Sequence, residues 1–179
     1  KSSGITIMKM NEGLDEGPII ASQKISITNE TTGKSLIDKI SYNSCSLLFN
    51  NLKKYLSGKI SPLQQDDSLS TYASKIKKSE TKIIWFETAN KISQKIKAFY
   101  PYPSMWFSHR GLRYKVLKAD ISELNGKPGF VIKAPLVIAC KKGSLNILEI
   151  QPEGKKPMDI KKFILGNHSF EIGINISNA

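Results

Sequence analysis

Cysteine and histidine are scarce, with two of each among 179 residues. Cys45 and Cys140 lie far apart, and neither a C-x-x-C pair nor a clustered His accompanies them. That argues against a disulfide framework and leaves no zinc-ligand spacing, so no metal is expected. Both cysteines read as buried apolar fillers, which suits an intracellular protein. His109 and His168 stand alone and read as structural or surface groups. Long apolar runs are missing as well: none approaches the ~20 residues that cross a bilayer, so no membrane partner is expected. The opening residues, 1–10, alternate polar and apolar and do not form the compact apolar block of a secretory signal. There is no phosphate-cradling glycine loop, no G-x-S-x-G and no H-E-x-x-H. Arginine is almost missing too, since only Arg110 and Arg113 stand among 27 basic residues.

What remains is ordinary globular material, 40% apolar and 23% charged, long enough for one domain or two small ones. The chain starts at Lys1 and runs almost directly into a strand-like segment, which reads as a piece of a longer protein. Its net charge of +12 is distributed unevenly. Residues 1–52 carry five basic and five acidic groups, residues 53–118 carry 14 and four, and residues 119–179 carry eight and six. A biased composition would raise the charge everywhere, yet the excess of +10 lies in the middle. A localised positive field suits a polyanionic partner, and nucleic acid is the usual one.

Residues 4–10 read as a buried strand, 11–17 as a turn rich in Gly, Asn and Asp, and 18–27 as a second strand. Thr31 or Thr32 then caps a long helix with Leu36, Ile40, Leu47, Leu48, Leu52 and Leu56 as its apolar stripe and Gly58 as its stop. Residues 61–72 break the pattern and mark a boundary. A short basic stretch follows, with Lys75, Lys77, Lys78 and Lys82, and then a helix whose Ala89, Ile92, Ile96 and Phe99 share one face. Pro101 and Pro103 end it. Beyond residue 112 short β-branched runs recur at 114–119, 129–133, 136–140 and 145–151, divided by Asn-Gly, Lys-Gly and Glu-Gly pairs. Several short strands at close spacing suggest a small barrel. Residues 159–165 form a short helix ended by Gly166 and Asn167.

Asp15 is the most suggestive single residue. An Asp beside Gly after a buried strand can be aimed into the cleft where α/β sheets bind ligands, there to orient a catalytic His and a water. The alternative is a turn Asp that bonds its own backbone. The basic stretch at 75–82, flanked by Tyr72 and Trp85, is either a nucleic-acid contact or a solvated lysine-rich face. Aromatics crowd positions 99–107 beside Lys95, Lys97 and Arg110, and read as a rigid elbow or as stacking partners for unpaired bases. Residues 154–157, with Lys155 and Lys156, read as a basic hairpin tip.

Four segments in this order resemble the methionyl-tRNA formyltransferase family. G-I-T-I-M-K-M-N-E-G-L-D-E-G-P (4–18) is similar to its G-V-T-I-M-x-M-x-x-G-L-D-x-G loop, and T-Y-A-S-K-I-K-K (71–78) to its T-Y-A-x-K-I linker. A-F-Y-P-Y-P (98–103) resembles A-F-N-P-W-P, and L-E-I-Q-P-E-G-K-K-P-M (148–158) resembles L-x-x-L-Q-P-x-G-K-K-x-M. The first is shared with other folate-dependent formyl transferases and hydrolases; the other three are more specific. Tyr100 and Tyr102 depart from the pattern, which puts specific contacts at the elbow in doubt. Phe86 replaces a capping Ser or Thr, so the cap is expected to move to Thr88.

The resemblance implies an α/β Rossmann-like formyltransferase domain, of which residues 1–60 are the C-terminal part, a basic linker at 61–80, and an OB-like β-barrel at 81–179 that holds tRNA. It implies formyl transfer from 10-formyltetrahydrofolate to the methionine amino group of initiator methionyl-tRNA, by a cytoplasmic or organellar-matrix monomer. Asp15 takes the position of the family's catalytic Asp, and the matching Asn and His are expected upstream of Lys1. Asn11, Glu12, Gly13 and Leu14 fall at the folate loop. Lys75, Lys77, Lys78, Lys82, Lys97, Arg110, Lys155 and Lys156 are the expected tRNA contacts. Two other classes stay open: a non-catalytic OB-like RNA-binding module, and a related formyl-folate hydrolase or nucleotide-sugar formyltransferase.

Overall fold

The computed structural model describes residues 1–166 and 170–176, so the readings of Asn167 and His168 lie outside the described residues. The chain divides into two compact units, Lys1–Lys75 and Ile76–Ala179.

The first unit is small. Strands β1 (Ser2–Met8) and β2 (Ile19–Ser26) pair antiparallel from Ser2↔Ser26 to Ile7↔Ala21, and the register slips at Met8. Helix α1 (Gly33–Leu56) follows, and Thr32 caps it in a reciprocal box with Ser35. Each side-chain oxygen accepts the other residue's backbone N–H, so two donors of the first turn are satisfied. Past the helix, Gly58 sits at φ 73, a left-handed position that glycine takes without steric cost. The side-chain amide of Gln23 donates to Asn43 Oδ1 at 3.2 Å and ties the helix to β2.

Two expectations are corrected here. The stripe splits: Leu36, Ile40 and Leu47 are half-buried, whereas Leu48, Leu52 and Leu56 are exposed beside Ile37 and Phe49. Cys45 is exposed as well, not a buried filler. The reason is width. A two-stranded ribbon can cover only one narrow stripe of a helix, so the neighbouring apolar rows stay outside. The two strands of this unit are also antiparallel, so by themselves they do not make the parallel sheet of a Rossmann-like domain.

The second unit holds the core. Helix α2 (Ala89–Phe99) is capped by Thr88, whose hydroxyl accepts from the Lys91 N–H, so the cap shift forced by Phe86 occurs. Ala89, Ile92 and Ile96 are buried on one face. The sheet contains β3 (Met105–His109), β4 (Leu112–Ser122), β5 (Val131–Lys133), β6 (Val137–Ala139), β7 (Ser144–Pro152) and β8 (Met158–Asp159). Its order is β3-β4-β7-β6-β5, with β8 on β7 and every strand pairing antiparallel. Helix α3 (Ile160–Leu165) follows β8, capped by Asp159 and stopped at Gly166.

The barrel expectation is met only in part. The sheet path ends at β3 and β5, and these two strands do not pair with each other. Other segments cover both edges. Ile83 N–H donates to Trp106 O at 2.7 Å beside β3, while Val131 N–H reaches Ile174 O and Ile176 N–H reaches Gly129 O beside β5. Covering an edge satisfies its backbone without closing the sheet. Strand β3 itself was hidden inside the expected aromatic elbow. Its alternation is regular, with Met105, Phe107 and His109 buried and Trp106 and Ser108 turned outward. Phe107, Tyr114, Phe163 and Phe170 then form a ring cluster, with centroids 5.2–6.1 Å apart for the contacting pairs. His109 packs on Phe170 at 4.8 Å, so it is structural.

Candidate functional site

The loop between β1 and β2 is held at its base and from beyond α1. Lys9 N–H donates to Pro18 O at 2.9 Å and pinches its base. Gly17 allows that approach: a Cβ there would lie 1.8 Å from Lys9 O. From beyond α1, the Gln65 side-chain amide donates to both Asp15 O and Gly17 O at 2.7 Å. Asp15 takes φ 58, a left-handed conformation that Asp tolerates better than most residues. This fixes the backbone at Asp15 while leaving its side chain exposed, as are those of Asn11, Glu12 and Leu14. The expected cleft around Asp15 is therefore absent among the described residues of this unit. Gln65 was not singled out from sequence, because a link across 50 positions leaves no local trace.

The expected cations occupy several elements. Lys75 ends the first unit. Lys77 donates its backbone N–H to Glu80 Oε1 at 2.9 Å, and Lys78 opens a single 3-10 turn, Lys78–Thr81. Lys97 lies in the last turn of α2. Arg110 and Gly111, at φ 50 and 75, form the two-residue turn joining β3 to β4, with Arg110 exposed at its tip. Lys155 and Lys156 are exposed on the connection between β7 and β8, after Gly154 at φ 72. Lys91 and Lys95 are engaged locally, since both contact the Glu87 carboxylate at 2.6 and 2.7 Å. Burial raises the Glu87 pKa, but hydrogen bonds from those two lysines hold it below the usual glutamate value.

One of these cations, Lys82, joins two others outside the set on one sheet face. Trp106 pairs with Lys115 across β3 and β4, and Lys115 pairs with Gln151 across β4 and β7. Arg113, two residues before Lys115, points the same way. Its guanidinium lies over the Trp106 ring at 4.2 Å from the centroid, and Lys82 Nζ lies at 5.7 Å. Trp106 Nε1 donates to the buried Thr81 hydroxyl at 3.1 Å, which fixes the ring. A shallow groove of about 220 Å³ runs beside it, lined by Arg113, Lys115, Gln151, Pro152, Glu153 and Gly154. Of these residues, Arg113, Lys115 and Gln151 escaped the sequence reading of contacts. The available signal was period-two alternation through 105–116, masked by the aromatic crowding.

The description "Formyl transferase, C-terminal domain" matches residues 75–168, and "Formyl transferase" matches residues 1–52. The chain belongs to the formyl transferase family. Among similar proteins, a formyl transferase named methionyl-tRNA formyltransferase from Pelagibacter ubique is 37% identical over 180 residues. The match takes in 100% of this chain and 58% of that protein. Another of that name, from Thermodesulfovibrio yellowstonii, is 39% identical across 93% of this chain and 54% of its own length. The chain therefore spans little more than half the length of these curated relatives. Among solved structures, HypX from Aquifex aeolicus in complex with tetrahydrofolic acid superposes with TM-score 0.72 at 16% identity, covering 91% of this chain and 30% of that one. Methionyl-tRNA formyltransferase from Clostridium thermocellum gives TM-score 0.52 at 18% identity, covering 82% of this chain and 56% of that one. At such identities the superpositions speak to the fold of this formyl transferase chain.

Proposed function

We propose that this chain is part of a methionyl-tRNA formyltransferase, which moves a formyl group from 10-formyltetrahydrofolate to the amino group of methionine on initiator tRNA. The observation that carries the reading is similarity along essentially the whole chain, through both family segments, to relatives bearing that name. In this reading residues 1–60 are the tail of a Rossmann-like catalytic domain, 61–80 the basic linker and 81–179 an OB-like domain that holds the tRNA. Lys75, Lys77, Lys78, Lys82, Lys97, Arg110, Lys155 and Lys156 are the proposed phosphate contacts, in the cytoplasm or an organellar matrix. The reading makes the protein a monomer without a membrane partner.

The folate fits this chain only in part. Residues 11–14 form an exposed turn, one wall of a site, and do not enclose a flat ring among the described residues. When bound, the folate supplies the formyl carbon that the methionine amine attacks. The contribution proposed for this chain is Asp15, a carboxylate on a backbone fixed by Gln65, which orients a catalytic His supplied from outside residues 1–179. Such orientation sets the protonation state of the His and is worth ~10²-fold or more in rate.

The test is a chimera that joins this chain to the N-terminal part of the Pelagibacter ubique relative that it does not match. Formylation of methionyl-tRNA by the chimera is the expected result, and Asp15→Asn in it should lower the rate by ~10²-fold. Full activity in that variant removes Asp15 from the mechanism. A folded, tRNA-binding chimera that transfers nothing overturns the formyltransferase reading.

A further inference from the structure

We infer that the outer face of β3, β4 and β7 is a backbone-phosphate subsite for tRNA, in which Arg113 is the phosphate ligand and Trp106 its platform. The inference rests on the tRNA reading above and adds Arg113 and Lys115 to the eight cations named there, beside Lys82 at the Trp106 ring. Three observations carry it.

The first is the register. Pairing brings Trp106, Lys115 and Gln151 into one row across three strands, and alternation sets Arg113 on the same side. Tyr114, Val116 and Ile150 between them are buried, so this face points outward because its opposite side is core. The second is pre-organisation. Thr81 fixes the indole ring through Nε1, and the Arg113 guanidinium sits over that ring with its carbon 4.2 Å from the centroid. A guanidinium that stacks on an aromatic face keeps its in-plane N–H fork available for two phosphate oxygens. Holding it there in advance removes part of the side-chain entropy that binding would otherwise cost.

The third is charge and shape. Arg113 and Lys115 line the groove, and the Gln151 side-chain amide donates to Lys155 O at 2.9 Å, which ties the basic β7–β8 connection to the groove's end. Glu153 is the acid in the lining, and its Oε2 accepts the Arg113 backbone N–H at 3.3 Å. At about 220 Å³ the groove falls below the ~300–1,000 Å³ of pockets that enclose a small molecule. It suits a chain passing over the surface, and a phosphodiester backbone meets its positive charge. Phosphates contacted in this way hold an RNA in position without reading its sequence.

The experiment measures tRNA binding by the 179-residue chain at several salt concentrations. Arg113→Gln should weaken affinity about tenfold and flatten the slope of log affinity against log salt by roughly 0.7–0.9, the share of one neutralised phosphate. Lys115→Gln should act in the same direction. Arg113→Lys keeps the charge but loses the planar fork, so the slope should persist while affinity still falls severalfold. Near-ultraviolet circular dichroism matching the parent shows that the sheet survives in each variant. Parental affinity and slope in Arg113→Gln and Lys115→Gln overturn the subsite, and parental affinity in Arg113→Lys overturns the role of Trp106. If joint substitution of Lys75, Lys77 and Lys78 still weakens binding in that case, the tRNA reading stands without the subsite. Absence of salt-dependent tRNA binding by the parent chain sinks the tRNA reading and the subsite together.

Discussion

Cys140 is 1% exposed beneath the sheet, and burial pushes its thiol up to about 12. A thiol that does not ionise near neutral pH is a poor nucleophile, so Cys140 behaves as a small apolar side chain. Cys45 has the opposite setting, exposed on α1. A thiol-reactive reagent at neutral pH should therefore label one cysteine per chain quickly, and the second only after denaturation. Two fast equivalents in a thiol titration of the folded chain would contradict the burial of Cys140. The same contrast between a residue's type and its setting governs Asp15. Composition around it promised a turn, and the turn is there, but only Gln65, far along the chain, shows which backbone carbonyls are held.

The two long helices differ in what they bury. In α2, Ile92 and Ile96 are 0% and 2% exposed against the sheet, whereas α1 has no buried residue. Ile96→Ala removes apolar volume from a close-packed interior and should lower stability by about 2–5 kcal/mol. Leu56→Ala, at a position 73% exposed, should stay within about 0.5 kcal/mol. Urea unfolding read by tryptophan fluorescence measures the first effect directly, because Trp85 and Trp106 both lie in the second unit. Circular dichroism at the helix band follows the second. Equal costs at the two positions would mean that α1 is covered by something outside the described residues. Sequence periodicity marked both helices correctly as helices, and the Thr88 cap followed from the family resemblance at Phe86. It could not tell α1's inner row from its outer one, since both are apolar and only the width of the sheet beneath decides.

Across the molecule the charge excess lies at 53–118, and its proposed work is on a phosphate backbone, which a small folate does not need. Replacing Lys75, Lys77 and Lys78 together by Gln should weaken tRNA binding and flatten its salt slope by roughly 0.7–0.9 for each phosphate no longer neutralised. Unchanged affinity and slope would leave that stretch as a solvated face. The sequence by itself determined a good deal here. Glycine and Asn or Lys pairs divided the strands, Thr and Gly bounded the helices, and four motifs carried the family. These are local signals, and each acts through a few neighbouring residues. The tertiary structure alone decided that Lys82 and Arg113 both approach the Trp106 ring, that the sheet's edges are covered by residues near 83 and 174, and that Cys45 faces out while Cys140 faces in. Those outcomes depend on register and on which surfaces meet. A one-residue shift in pairing would turn Trp106 and Lys115 into the core, and a linear pattern already masked by aromatic crowding cannot fix that choice.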